Sequence, residues 1–328
     1  MLYIWSESND AAYNMALEQY VFDNLSDEQD VFMLWQNENA IVVGVNQNTA
    51  AEINISYVRD NNISVVRRLS GGGAMYQDLG NVNFTFISKG KGMIYDFSSF
   101  IEPIIKALAR LGITAVATGR NDVTVDGKKF SGNAQYKKSG KIMHHGTILF
   151  DSDLTVLSKA LNVSSLKLES KGVKSVSSRV TNLRPLLQKD VDVKEFIDTL
   201  HNSIDEQFNL TTYILSDEDI LGIETLIQQR YSTWDWNYSK SPPYTMRVEK
   251  RFDMVGTIEV LVNVKESSIE DISFFGDYFG EDDSSLKSIL KGTRLLYNDL
   301  IAALEKVDID IYFKGLDKMD FIELLLGI

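Results

Sequence analysis

Apolar residues recur along this chain in two rhythms. Val82, Phe84 and Phe86 interleave with Asn81, Asn83 and Thr85 over 81–88, the period-two alternation of a strand with two distinct faces. Apolar runs of strand length stand at 31–35, 40–45 and 64–69, and further strands are expected at 113–118, 122–126, 128–131 and 141–150. Asp126-Gly127 between two of these is a type I′ hairpin signal. The slower, helical rhythm begins after Ser8-Asn9 with Ala12, Met15, Ala16 and Tyr20. It returns over 97–111, where Gly112 closes the helix and Pro103 lies in its first turns. Helices are also expected near 154–161, 193–208 and 217–231. Strands and helices cluster without regular βαβ alternation, which predicts an α+β fold rather than a doubly wound sheet.

A boundary is expected after Trp234-Asp235-Trp236, where Ser239–Tyr244 carries two of the four prolines in the chain. Beyond it, 247–252, 257–264 and 268–274 read as short strands, and 286–290 and 293–304 as helices. The expected organisation is a larger unit over 1–244 and a small α+β module over 245–328. The module is near the lower size for an independent core, so docking on the larger unit is expected.

Composition narrows the chemistry. Hydrophobic residues make up 44% of 328 positions, the share of a globular protein rather than a disordered one. Forty-six acidic against 33 basic residues leave a net charge of −13, which argues against a nucleic-acid-coating surface. No apolar run is long enough to cross a bilayer. The N-terminus shows neither a basic nor a long apolar signal region, and the expectation is a cytoplasmic protein with no membrane partner. There is no cysteine, so disulfides, thiolate metal sites and thiol nucleophiles are excluded. Only His144, His145 and His201 remain for imidazole chemistry, too few for a multi-histidine metal centre.

Two segments carry candidate chemistry. The first runs Arg67-Arg68-Leu69-Ser70-Gly71-Gly72-Gly73-Ala74-Met75-Tyr76-Gln77-Asp78. A strand delivers two arginines, suited to phosphate or carboxylate, into three glycines whose backbone can approach a ligand closely. It is neither a P-loop nor a dinucleotide fingerprint, because it lacks Gly-Lys-Ser/Thr and its glycines are contiguous. A flexible hairpin with surface arginines is the plain alternative. The second segment joins Gly119-Arg120-Asn121-Asp122 to Gly127-Lys128-Lys129-Phe130-Ser131-Gly132-Asn133-Ala134. A hairpin brings Lys129 near Ser131 and Gly132, where a fixed ammonium neutralises an acyl phosphate; an exposed hairpin with solvated lysines is the alternative. Adjacent His144 and His145 on a strand point to opposite faces, which favours structural or orienting roles over joint metal binding. The Trp234/Trp236 pair reads as junction packing. Lys167, Lys171 and Lys174 lie in a Ser/Gly-rich run that is either solvated or approaches an acidic partner.

Taken in order, these segments resemble the lipoate–protein ligases. Residues 67–83 are similar to their RRxSGGGAVxHDxGNxNxxF signature, 119–134 to their GRNDxxxxGKKxSGxA element, and 144–149 to their HHGTLL element. Ser178–Leu183 and Trp234-Asp235-Trp236 also match family positions, so the likeness spans the chain. It implies a biotin/lipoate-ligase catalytic domain, related to class II synthetases, followed by an accessory domain. It implies an enzyme that uses ATP with Mg2+ to convert lipoate into lipoyl-adenylate, then acylates a lysine of a carrier. The carriers implied are lipoyl domains of 2-oxoacid dehydrogenase E2 subunits and glycine-cleavage H protein. Carried over position by position, the likeness gives catalysis to Lys129. It gives ATP and adenylate to Arg68, Gly73, Ala74, Met75, Tyr76, Asn121, Asp122 and Lys129, with Asp122 the better Mg2+ ligand. It gives lipoate to Arg67, Ser70, Gly71, Gly72, Lys129, His145 and Gly146. One departure is Gln77, where the family has His; Gln keeps a hydrogen bond and cannot titrate. The absent cysteine excludes a thioester acyltransferase of the same fold. A transferase that accepts ready-made adenylate, and a lipoate sensor without catalysis, remain as alternatives.

Overall fold

A computed structural model describes residues 1–26, 29–89, 97–119, 121–162, 179–238, 246–265 and 268–327. The lysines at 167, 171 and 174, the proline-bearing stretch at the expected boundary, Arg120 and Ser178 lie outside these residues. None of the described helices is long and apolar enough to cross a membrane.

Eleven strands build two sheets in the larger part of the chain: β1 (Leu2–Trp5), β2 (Val31–Trp35), β3 (Ala40–Val43), β4 (Ser64–Arg67), β5 (Met75–Gln77), β6 (Asn81–Lys89), β7 (Val116–Thr118), β8 (Asp122–Val125), β9 (Lys128–Lys138), β10 (Lys141–Leu149) and β11 (Thr211–Thr212). The large sheet has the order β11-β1-β2-β6-β10-β9-β8-β7, and a small one the order β4-β3-β5. Parallel pairing occurs at β1–β2, β1–β11 and β3–β4, and β6, β8, β9 and β10 pair antiparallel.

The alternation read from β6 sorts the layers. Phe84 and Phe86, with Phe32 and Leu34 of β2, face a core closed by the helices Phe97–Arg110 and Val193–Phe208. Val31, Met33 and Trp35 face the other side, where helix Ala11–Tyr20 brings Met15, Ala16 and Leu17. That helix is capped by Asp10, which accepts from the Tyr13 N–H, rather than by Ser8 or Asn9. At the hairpin, Asp126 and Gly127 take φ of 50° and 75°, as a type I′ turn requires.

A third sheet, β12 (Met246–Phe252), β13 (Gly256–Lys265) and β14 (Ser268–Gly276), is wholly antiparallel. Its core of Ile258, Val260, Phe274, Phe313, Phe321 and neighbours is drawn only from residues beyond 254. This sheet touches the rest of the molecule at the triple-glycine loop. Gly276 N–H donates to the Asn46 carbonyl at 2.8 Å, and Gly72 N–H to the Tyr278 carbonyl at 3.4 Å. The Phe279 ring lies over Gly71 and Gly72 and 6.0 Å from the Phe97 ring.

Candidate active site

One cavity gathers most of the singled-out residues. Arg68, Gly72, Gly73, Ala74, Met75, Asn121, Lys129, His145 and Gly146 line it. Arg67, Ser70, Gly71, Tyr76 and Asp122 do not, and each has another engagement.

Strand alternation separates the two arginines. Arg67 is fully buried and surrounded by oxygen acceptors. Its Nη1 donates to the carbonyls of Gly44, Val45 and Gln47 at 2.8, 3.1 and 2.7 Å, and its Nε to that of Trp236 at 2.8 Å. Its Nη2 donates to Thr49 Oγ1 and to the Asn237 carbonyl. The expectation that Arg67 meets the acyl carboxylate is therefore corrected: with six acceptors of its own, it ties three stretches of chain together. Arg68 turns instead to the cavity. It donates to Ser70 Oγ, to the Val42 carbonyl, and to the carbonyls of Gly71 and Gly73 at 2.7 and 2.9 Å, so it props the glycine loop from below. Burial pulls both guanidinium groups down to about 10, still charged at neutral pH. Within the loop, Gly72 takes φ of 91°. Opposite it, a Cβ on Gly44 would lie 2.1 Å from the Gly72 carbonyl oxygen, so this close approach excludes any larger residue.

Ser70 and His145 belong to a buried relay. Arg68 Nε–H donates to Ser70 Oγ, which is in turn hydrogen-bonded to His145 Nε2 at 2.7 Å. His145 Nδ1 then donates to the Glu18 carboxylate at 3.0 Å. Thr85 Oγ1 donates to Glu18 Oε1 at 2.5 Å, and Trp35 Nε1 to Thr85 Oγ1 at 3.0 Å. With both ring nitrogens spent, His145 presents its carbon edge to the cavity. Its neighbour His144 faces the opposite core, stacked 5.0 Å from Phe100 and hydrogen-bonded to Gln135 and Asn133. Burial there drives its pKa down to about 3, so it is neutral.

The Tyr76 side chain is buried in the core of the small sheet, its hydroxyl on Asn39, which leaves only its backbone beside the glycine loop. Gln77 does reach the cavity; it accepts from Asn37 Nδ2 at 2.7 Å and donates to Asn83 Oδ1 at 2.9 Å. An amide completes that chain without any titration.

Lys129 owes its direction to a β-bulge. Between β8 and β9 the register passes from Val123↔Ser131 to Thr124↔Lys129, leaving Phe130 as the extra residue, buried in the core. The Lys129 backbone is clamped on its other side: its N–H donates to the Arg179 carbonyl, and its carbonyl accepts from Thr181 N–H. Its Nζ stands 2.9 Å from where a Gly132 Cβ would be and 2.7 Å from Asp122 Oδ1. Asp122 is thus engaged by an ammonium. Among the described residues no three histidine, aspartate or glutamate side chains cluster to hold a metal.

Gly132, Asn133 and Ala134 of the second segment also line the cavity, whereas sequence reasoning missed Met15, Trp35, Val42 and Thr147 there, and Glu18 behind His145. Glu18 carried a signal: it falls in the stripe Ala11, Met15, Glu18, Phe22 of one helix, where an acid needs a buried partner. The composite is a cavity with two cations, Arg68 and Lys129, and an apolar end at Met15, Trp35 and Val42. It suits a small anion with an apolar tail.

Residues 10–205 match the family described as "Lipoyl protein ligase A/B catalytic domain", and residues 241–325 that described as "Bacterial lipoate protein ligase C-terminus". The chain is 42% identical to the lipoate-protein ligase LplJ of Bacillus subtilis, over 99% of this chain and 100% of that one. It is 40% identical to lipoate–protein ligase 1 of Staphylococcus aureus, over 96% and 97%. Among solved structures, LipL1 of P. falciparum in complex with lipoate superposes with a TM-score of 0.81 at 25% identity, covering 99% of this chain and 98% of that one.

Proposed function

The chain belongs to the lipoate–protein ligase family, and on that premise we propose that it activates lipoate with Mg·ATP and passes the lipoyl group to a carrier lysine. In the first step a lipoate carboxylate oxygen attacks the α-phosphorus; the new P–O bond forms as pyrophosphate leaves. In the second, the carrier amine attacks the acyl carbon of lipoyl-adenylate and AMP leaves. The carriers are lipoyl domains of 2-oxoacid dehydrogenase E2 subunits or glycine-cleavage H protein. The units are 1–244 for catalysis and 245–328 as accessory.

The observation that carries this reading is the placement of Arg68 and Lys129 on one cavity with an apolar closed end. Two anionic substrates repel each other, and two fixed cations between them reduce that repulsion. Lys129, a compact point charge, serves the α-phosphate and the acyl carbonyl oxygen, where charge builds in both steps. Gly73, Ala74, Met75 and Asn121 line the nucleotide part. Gly72, His145 and Gly146 line the acyl part, with the carbon edge of the His145 ring as a wall. No enzyme nucleophile is needed, which accords with a chain lacking cysteine.

Intact mass of an apo lipoyl carrier domain tests this, after incubation with the protein, lipoate and Mg·ATP, and in parallel with synthetic lipoyl-adenylate. A lipoyl mass gain in both samples is expected, and Lys129→Ala should abolish it while the variant melts normally. Gain only with adenylate would mean a transferase without activation. No gain with any carrier would mean a lipoate-binding sensor.

A further inference from the structure

We infer that Asp122 is the docking carboxylate for the ammonium of the carrier's lysine, a site that Lys129 fills until the adenylate draws it away. The inference rests on the proposed ligase reading and adds to it the residue that receives the nucleophile.

Three observations support it. First, the Asp122 carboxylate already binds an ammonium of the right kind, Lys129 Nζ, at 2.7 Å. Second, this pair is on the solvent-facing side of the site. The side chains of Lys129 and Asp122 are 30% and 26% exposed, whereas Met15, Trp35 and Val42 are 2–3% exposed at the closed end. A lysine borne on another protein enters from the solvent-facing side. Third, Asp122 faces the lining residue Gly132 across the β8–β9 ladder, so its carboxylate stands directly behind the wall that carries Lys129.

Electrostatics supplies the exchange. The adenylate phosphate competes with Asp122 for the Lys129 ammonium. As Lys129 turns to the phosphate, an anionic carboxylate is left beside an anionic adenylate, an unfavourable pairing until a second cation arrives. The carrier ammonium is that cation. Seated on Asp122, it loses one proton to water on the solvent-facing side; the amine nitrogen then attacks the acyl carbon. The C–N bond forms, the C–O bond to AMP breaks, AMP leaves with the electron pair, and the second proton follows to water. A ligand of Mg2+ would instead have to give up its ammonium partner to a metal ion.

The test separates two nucleophiles. Full-length Asp122→Asn is mixed with synthetic lipoyl-adenylate and either a carrier domain or hydroxylamine, which is uncharged at neutral pH and has no use for an ammonium site. Single-turnover rates of lipoyl-carrier and lipoyl-hydroxamate formation are compared with the wild type. The lysine-to-hydroxylamine rate ratio is expected to fall about tenfold or more, the scale of one charge-assisted hydrogen bond, and Asp122→Glu to recover part of it. An unchanged ratio, whether both rates fall together or neither moves, overturns the inference and leaves Asp122 as a brace for Lys129. A wild-type protein that forms neither product overturns the ligase reading itself.

Discussion

Adjacent arginines look equivalent in a sequence and are opposite in this structure. A run of two cations before three glycines invites one joint role, yet strand alternation points Arg68 to the cavity and Arg67 away from it. Which arginine lines the cavity and which braces the fold was not legible, because the acceptors of Arg67 come from residues 44–49 and 236–237, far apart in sequence. The two therefore fail differently. Arg67→Lys keeps the charge and loses most of the hydrogen bonds, so denaturant melts should show a loss of roughly 3 kcal/mol or more. Lipoate affinity of the folded fraction should stay within about twofold by calorimetry. A large drop in affinity without a stability loss would return Arg67 to the binding site. Lys129 is a different case: residue types alone left it an exposed hairpin lysine, only the family likeness singled it out, and its ion pair with Asp122 lay across a hairpin whose bulge no local pattern marks.

Two strands of the large sheet were the most legible elements, since β2 is a continuous apolar run and β6 alternates over 81–86, and both sit where the pattern placed them. β1 and β11 went unread, and β9 was read short. Its expected four residues extend to eleven, because Ser131, Gly132, Asn133 and Ala134 have little strand preference of their own and are held by β8 and β10 on either side. The expected helix over 293–304 shrinks to Tyr297–Ala303, with Leu296 still extended before it. The final helix, Lys318–Leu326, went unread although Phe321, Ile322, Leu324 and Leu325 are buried. Alternation along β10 has a pH consequence. It drives His144 into the aromatic core, where its pKa falls from 6.5 to about 3. Between those values the unfolded chain binds a proton that the folded one refuses, so stability falls as pH drops through that window and is fully present above it. His144→Gln keeps a neutral hydrogen-bonding side chain. Its melting temperature should fall less steeply than the wild type's from pH 6.5 toward 3; parallel curves would mean that other groups set the acid limb.

For the whole molecule, the contact between the third sheet and the glycine loop joins two cores that are otherwise separate. An accessory unit was legible from composition and its strand runs; its seat on Gly71 and Gly72 was not, because a backbone carbonyl and one phenyl ring leave no sequence signature. Phe279→Ala should raise hydrogen exchange at the amides of 71–73 without changing protection within β12–β14. Exchange that stays at the wild-type rate would mark the ring as incidental to the docking. Arg67 bears on a different matter, the order in which the protein comes into being. Its guanidinium leaves the ribosome long before the carbonyls of Trp236 and Asn237, which follow 169 and 170 residues later. A nascent chain holding the arginine-bearing sheet is thus still unsealed, with a cation waiting for acceptors not yet made. The seal on that sheet is therefore among the late contacts of synthesis, and a chain cut short before Trp236 is expected to be aggregation-prone.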